Sequence, residues 1–253
     1  MKASDRRNEI LNYLEKNHVV YNSELCQFLN VSPMTIHRDF QAMAKQGLIT
    51  IIRGGAVLNH GTSVLYSLNF RQTSMPLEKQ RIAKYCAELV REGSTIFIDC
   101  GSTAELIAES IRHKKNITIM TNSLDTAHVL SSSKENKLIM VPGVFAQLLR
   151  GFSGQMTTDF MSRFQVDMLF LGANGIDVAH GLTSPDYTDA ETKRVLIKHA
   201  RQIIVAADHT KLGKNFFVTI AKLPEINIIV TDKEADPQII EDMKICSTDI
   251  VLV

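Results

Sequence analysis

Val31-Ser32-Pro33-Met34-Thr35-Ile36-His37-Arg38-Asp39-Phe40, followed by Gly47-Leu48-Ile49 and then Arg53-Gly54-Gly55-Ala56, is the stretch that decides how this chain is read. Ser32 suits a helix N-cap, since its hydroxyl accepts from an exposed amide of the first turn, and Pro33 suits the first helical position. Gly47 suits the stop. At about 100° per residue, Ile36, Phe40 and Met43 share one stripe of this helix. Arg38 lies nearly opposite, with Met34, Thr35, Gln41, Ala42 and Lys45 around it and His37 on the flank. A polar, partly basic outer face is what a helix entering the major groove needs. Arg38 can donate a two-pronged pair to guanine or to phosphate, and Thr35 offers a short hydroxyl near the helix start.

Upstream, Ile10, Leu11, Tyr13 and Leu14 recur at helical spacing and predict a first helix over residues 5–16. Val19-Val20-Tyr21 leads into a second helix that starts near Asn22 or Ser23 and buries Leu25, Phe28 and Leu29; Asn30-Val31 forms the turn. Downstream, Leu48, Ile49, Ile51 and Ile52 read as a strand, Gly54-Gly55 as a hairpin tip and Ala56-Val57-Leu58 as the return. Residues 1–58 therefore form a winged helix-turn-helix, its helix-turn-helix at about 20–39. A lone helix with one outward arginine is more often simply solvated; the three-helix context and the following wing tip the reading to DNA. The expected DNA contacts are Ser32, Met34, Thr35, His37, Arg38, Gln41, Arg53, Gly54 and Gly55. Seven Lys/Arg against five Asp/Glu give this segment 7 − 5 = +2, within a chain of net charge +1. So modest a charge supplies few phosphate contacts per head and favours binding as a dimer or higher oligomer.

With 45% hydrophobic and 22% charged residues over 253, the chain has ordinary globular composition. Cys26, Cys86, Cys100 and Cys246 form no Cys-x-x-Cys pair and the eight histidines are scattered, so neither a zinc site nor a disulfide framework is expected. No stretch approaches the ~18 apolar residues of a membrane span. A cytoplasmic protein without metal or cofactor is the expectation.

Residues 59–75 are polar, show little periodicity and read as a linker. From residue 76 to 253, helix and strand patterns alternate. Strands are predicted at 95–99, 117–121, 137–141, 168–172, 202–206, 226–231 and 250–253, and helices at 77–91, 103–112, 124–131, 157–164, 189–199 and 238–244. Such alternation predicts an α/β, Rossmann-like domain with a mostly parallel sheet and ligands at the carboxyl ends of its strands. The Asp99-Cys100-Gly101-Ser102-Thr103 turn can surround an anion at a helix N-terminus, although by itself Gly-Ser-Thr is weak evidence. Asn122, Gly175, Asp177, Glu191, Lys193, Asp208 and Lys211 fall in the same expected layer. A mixture of Asn, Asp, Glu and Lys suits a polyhydroxylated, phosphorylated ligand, with Lys193 and Lys211 as anion partners and Asp99, Asp177, Glu191 and Asp208 as acceptors for sugar hydroxyls. Singly, any of these residues is more often a loop cap or a surface ion pair.

These residues resemble the DeoR family of bacterial transcription regulators. In the head the match runs through Arg6 or Arg7, Ile10 and Leu14, Glu24-Leu25, Val31-Ser32, Thr35-Ile36, Arg38-Asp39, Gly47 and Arg53-Gly54-Gly55-Ala56. In the body it runs through Phe70-Arg71, Lys79, Ile82-Ala83, residues 99–103, Thr121-Asn122, residues 170–177 and residues 208–213. Two positions depart from the pattern: His37-Arg38 stands where the family has two arginines, and Pro142-Gly143 stands where a Gly-Gly pair is common. The resemblance implies an effector domain related in fold to ribose-5-phosphate isomerase. It also implies a homo-oligomeric dimer or tetramer that binds operator DNA, usually as a repressor of a carbohydrate-utilisation operon, and responds to a phosphorylated sugar.

Two other readings compete. A sugar-phosphate isomerase or transferase would use Glu191, Asp208 or Lys211 as acid and base, but would have no use for the head. A winged helix that binds only protein would have no use for the outward arginines.

Overall fold

The computed structural model describes residues 1–17, 19–59, 68–246 and 248–253. They form two compact units, Met1–Ser74 and Met75–Val253.

The first unit contains α1 (Ala3–Asn17), β1 (Val19–Tyr21), α2 (Asn22–Leu29), α3 (Pro33–Lys45), β2 (Ile49–Ile52) and β3 (Gly55–Leu58). Its core joins Ile10, Leu11 and Leu14 of α1 to Leu25 of α2 and to Ile36, Phe40 and Met43 of α3, with Val20, Ile49 and Ala56 from the sheet. The cap expected of α3 is present: Ser32 Oγ accepts from the Thr35 amide at 3.3 Å. At the other end Gly47 adopts φ +71°. That left-handed residue lets the Leu48 amide reach Met43 O and the Gly47 amide reach Ala44 O, satisfying two carbonyls the helix would leave bare.

Several expectations change. Val19-Val20-Tyr21 is a strand that pairs antiparallel with β3, giving the order β1-β3-β2. The tip of the wing is Arg53-Gly54, not Gly54-Gly55, because Ile52 already pairs with Gly55. Gly54 supplies the positive φ (+80°) the turn needs. Gly55 is buried under β1, where any Cβ would run into the Val20 carbonyl oxygen. Phe28 is 58% exposed, its ring tilted against Tyr13 with centroids 5.6 Å apart, and only Leu25 of α2 is fully buried. Of the linker, residues 60–67 lie outside the described residues. Its remainder carries α4 (Leu68–Thr73), six residues and too short to display a period.

The second unit runs through α5 (Pro76–Leu89), β4 (Thr95–Ile98), α6 (Ser102–Ile111), β5 (Thr118–Thr121), α7 (Leu124–Leu130), β6 (Lys137–Met140), β7 (Val144–Ala146), β8 (Gly151–Ser153) and α8 (Gln155–Met161). It continues through β9 (Val166–Gly172), β10 (Gly175–Asp177), β11 (Gly181–Ser184), α9 (Tyr187–Lys198), β12 (Ala200–Ala206), β13 (Val218–Ala221), β14 (Ile228–Thr231), α10 (Pro237–Lys244) and β15 (Asp249–Leu252). All seven predicted strands belong to one parallel sheet of order β15-β14-β12-β9-β4-β5-β6. Successive side chains of a strand point to opposite faces, and here both faces are covered. Ile96, Ile98, Phe170, Ile204 and Val230 pack with α5, α6 and α7. Phe97, Leu169, Leu171, Val205 and Ile229 pack with α8, α9, α10 and a small antiparallel sheet, β10-β11-β13. From β4 the chain builds outward through β5 to β6, then returns to place β9 on the other side of β4. The strand order therefore reverses between β4 and β9, and the crevice above their carboxyl ends is where folds of this kind hold ligands.

Because Gly55 packs directly beneath β1, Gly55→Ala is expected to cost the first unit on the order of 2–3 kcal/mol. Denaturant unfolding of the full chain followed by circular dichroism checks this; an unchanged midpoint for the first unit's transition refutes the packing argument.

Candidate functional site

In the first unit the geometry of α3 is set from below. Asp39, on its inner side, is 1% exposed and lies between two guanidinium groups of α1: Arg6 Nε at 2.5 Å from Oδ2 and Arg7 Nε at 2.8 Å from Oδ1. A buried carboxylate left without partners is strongly unfavourable, so α1 and α3 are locked at this point. Arg6 and Arg7 are thereby engaged within the unit, and the head's basic excess falls to other residues.

The outer side of α3 is free. His37, Arg38 and Gln41 are exposed, as is Met34, and Thr35 is half-buried with its hydroxyl 2.9 Å from that of Ser32. Arg53 and Gly54 are exposed at the wing tip. Among the described residues no carboxylate lies within ion-pair distance of Arg38, Lys45 or Arg53. Of the nine expected contact residues, eight lie on the helix surface or the wing tip, and Gly55 instead packs inside.

In the second unit, Asp99 follows β4 at the reversal of strand order, and its amide donates to Phe170 O at 3.0 Å across to β9. Its carboxylate is fully buried, and neither oxygen accepts a hydrogen bond. The nearest cation is Lys193 Nζ of α9, 3.5 Å from Oδ2. The same ammonium donates to Asp189 Oδ2 at 2.7 Å, one turn earlier on α9, and Ser184 Oγ donates to that oxygen at 3.0 Å. Burial pushes the Asp99 carboxyl above the usual carboxylate range, with Lys193 pulling it back and Asp189 adding to the push. For Lys193 burial works against the charge, yet Asp189 and Asp99 hold the ammonium well above its ordinary value. Asp189 was not anticipated, although Asp189 and Lys193 stand four apart, the spacing of facing helical ion pairs.

Neighbouring loops close around Asp99. Gly101 (φ +140°) precedes Ser102 and Thr103, both buried at the start of α6. Asn122, after β5, donates through Nδ2 to Phe152 O at 3.0 Å and keeps a buried Oδ1 without a donor. Gly151 sits so near Cys100 and the Asn122 carbonyl that a Cβ there would strike both. The Gly154 amide donates to Thr192 Oγ1 of α9 at 3.1 Å, bringing β8 against the same helix.

Beyond β12, Asp208 caps a short turn (His209–Lys211), accepting from the amide and hydroxyl of Thr210. Its Oδ2 is 3.9 Å from the buried Lys79 Nζ of α5. Burial opposes the charge on Asp208, but Lys211 first, then Lys79 and the Thr210 hydrogen bonds, hold its carboxyl below the usual range. His209 Nδ1 is 2.7 Å from Asp232, a carboxylate that also accepts from the His209 and Glu234 amides.

Three expected effector residues are engaged elsewhere. Gly175 packs under the Lys214 carbonyl. Asp177 accepts from the Ala179 and His180 amides and from the His180 ring, closing the β10–β11 turn. Glu191 is paired with Arg194, whose guanidinium also reaches Thr219 O. Asp99, Gly101, Ser102, Thr103, Asn122 and Lys193 come together at the β4 end, and Asp208 with Lys211 at the β12 end.

Comparison with known proteins bears on both units. Residues 6–62 match the model of the DeoR-like helix-turn-helix domain and residues 74–233 that of the DeoR C terminal sensor domain. The chain is 35% identical over 232 residues to the glycerol-3-phosphate regulon repressor of Escherichia coli, covering 92% of each. It is 30% identical to the HTH-type transcriptional regulator IolR of Bacillus subtilis, again over 92% of each. A ribose 5-phosphate isomerase from Methanocaldococcus jannaschii aligns over 53% of each chain at 18% identity, with a TM-score of 0.39.

Removing the carboxylate between Arg6 and Arg7 by Asp39→Ala is expected to destabilise the first unit by about 2–4 kcal/mol, less than a fully buried triad would lose because Arg7 is partly solvated. Chemical denaturation reads this, and an unchanged midpoint contradicts it. Asp208 gives a pH signature. Its folded-state carboxyl titrates below the ordinary 3.8, so its charge contributes stability above that pH, lost as the pH falls through the folded value. Asp208→Asn should therefore lose less stability than wild type between pH 4 and 2, within the range where wild type still folds; parallel acid limbs would refute this assignment.

Proposed function

Since the chain belongs to the DeoR family of DNA-binding transcription regulators, we propose that it represses a carbohydrate-utilisation operon and releases operator DNA when a phosphorylated sugar binds residues 76–253. The observation that carries the DNA half is the outer side of α3: Arg38 is exposed and unpaired on a helix whose inner side is fixed by Asp39. In the major groove Arg38 donates to guanine O6 and N7 or to a phosphate, Met34 meets a thymine methyl, and Thr35 and Gln41 reach base edges. His37 makes one hydrogen bond where a second arginine would make a charged fork, which changes the base preference at that position. Arg53 at the wing tip reaches phosphate or the minor groove, and the Ser32 and Gly54 backbones approach the sugar-phosphate chain.

With Arg6 and Arg7 held by Asp39, each head has few cations left for phosphates. That supports a homo-oligomer, dimer or tetramer, in which two heads engage two half-sites. The relatives' names support repression, since they include a glycerol-3-phosphate regulon repressor and a lactose phosphotransferase system repressor. The effector half is supported by the buried Asp, Asn and Lys groups at the carboxyl ends of β4, β5 and β12. Release follows if the phosphosugar binds more tightly to a form whose heads no longer fit both half-sites, since a ligand shifts an equilibrium only through its differential affinity. Such a protein works in the cytoplasm, where both DNA and phosphosugars are found, and needs no turnover: Glu191 and Asp208, available as an acid–base pair in an isomerase, are here tied to Arg194 and to Thr210 with Lys79.

Gel shifts with DNA flanking the protein's own gene test the first half. Wild type should give a specific complex and Arg38→Ala should weaken it by about 1–3 kcal/mol, whereas equal binding by the two would remove α3 from the recognition surface.

A further inference from the structure

Between Lys137 and Asp159 the chain carries a single charged residue, Arg150, although 22% of the whole is charged. That segment holds the rest of β6, the β7–β8 hairpin and the start of α8. The charge of Arg150 is taken by Asp125 of α7, whose carboxylate accepts from its Nε and Nη2 at 2.8 and 2.7 Å. What this segment shows to solvent is neutral and apolar. Val144 is 69% exposed and Met156 59%, and Leu124, Met140, Phe145 and Leu148 are exposed as well.

These six residues adjoin one another. Met140 ends β6, the last strand of the parallel sheet. Thr157 Oγ1 donates to Pro142 O at 2.7 Å and Val144 pairs with Ser153, which brings Met156 beside the start of β7. The ring of Phe145 lies against that of Phe152, centroids 5.4 Å apart. The Leu124 amide donates to Arg150 O at 3.1 Å, joining α7 to the hairpin turn that carries Leu148. Together the six expose on the order of 500 Å² of apolar surface, as large as the largest patches on monomers. One side of a standard interface covers about 800 Å², some 60% of it apolar, so the patch matches what one partner of a stable dimer contributes.

We propose that a second copy of this chain docks on this face, about a two-fold axis. This rests on the homo-oligomer reading above and gives it a surface. Charge selects the occupant. DNA needs lysines and arginines, which the segment does not offer; a strongly acidic or basic protein needs the opposite charge. A neutral apolar face meets its own image with no like charges opposed, and a two-fold contact demands a surface that complements itself. Exposed apolar residues elsewhere in this unit, such as Ile245 beside Lys244 and Tyr187 beside Asp186, stand next to a charge. The hairpin also borders the candidate effector site, since the Phe152 amide donates to Asn122 O at 2.8 Å and Gly151 lies against Cys100. The contact between copies and that site are thus a hairpin's width apart.

Analytical ultracentrifugation of the full-length chain tests this. Wild type, Val144→Glu, Leu148→Glu and, as a control outside the patch, Ile245→Glu are compared over a range of concentrations without DNA. Wild type should associate to a dimer or larger. Val144→Glu and Leu148→Glu should each weaken one association step by about tenfold or more, and Ile245→Glu should match wild type. In a mixture of isotope-labelled and unlabelled chains, a photoreactive phenylalanine analogue at position 145 should cross-link to residues 138–157 of the other copy. A monomeric wild type overturns the interface and the homo-oligomer reading together. An oligomeric wild type whose patch variants associate as tightly overturns the interface alone, and the face then serves a partner other than this chain. Cross-links to a different surface of the other copy, or equal weakening by Ile245→Glu, overturn it as well. Should Val144→Glu or Leu148→Glu lose its native circular dichroism, Met156→Glu carries the same expectation.

Discussion

A carboxylate taken out of water must find a cation or give up its charge. This chain nevertheless buries Asp39, Asp99, Asp189 and Asp208 beside lysine or arginine, and Asp232 beside His209 and two backbone amides. Each is placed where two elements must keep a fixed relation. Asp39 ties α3 to α1 through Arg6 and Arg7; Asp99 and Asp189 tie the end of β4 to α9 through Lys193; Asp208 ties the end of β12 to α5 through Lys79. Apolar contacts alone would hold these elements together at a range of angles and offsets. A buried ion pair tolerates far less, since a small displacement leaves a desolvated charge unpaired. In the head this constraint fixes the orientation of α3; in the body it sets polar groups at the sheet edge.

The two sites differ in how completely the protein satisfies its own charges. In the head the inner carboxylate is saturated by two arginines, while the outer Arg38 is hydrated and free of any protein carboxylate among the described residues. At the β4 end the ammonium donates closely to Asp189, while Asp99 makes no close hydrogen bond and draws instead on Lys193 at 3.5 Å and on the Cys100 amide and Asn122 beside it. Only the buried group carries a desolvation penalty, since water satisfies the exposed one.

The parallel sheet was legible in the sequence because its strands are buried on both faces and appear as apolar runs between turn residues, as at Ile96-Phe97-Ile98 and Leu169-Phe170-Leu171. Helix α3 was legible through Ser32, Pro33 and Gly47, each a local signal at a defined position. The short strands β1, β7, β8, β10, β11 and β13 were not, since three or four residues carry too little alternation to stand out. Phe28 misled because an aromatic at helical spacing reads as core, whereas a helix of eight residues with one fully buried position leaves it stacked on Tyr13 at the surface. Gly54-Gly55 misled because two glycines have different reasons to be glycine, the first a positive φ and the second the closeness of β1.

Among the site residues, types and strand-end positions were readable but partnerships were not. Lys193 and Asp99 were each legible as polar residues near the carboxyl edge, and only the strand order that returns β9 beside β4 brings α9 over Asp99. Arg6 and Arg7 were legible as basic residues of a DNA-binding head, and their pairing with Asp39 holds both, half-buried, against α3. This matters for how the head recognises DNA. With two of its arginines held by Asp39, a single head keeps fewer cations free for phosphates, which supports the proposed reading in which Arg38 and Arg53 carry the contacts and two heads act in concert. On that proposal the regulator is sensitive to any change in the spacing of its heads, because neither head holds the operator on charge alone.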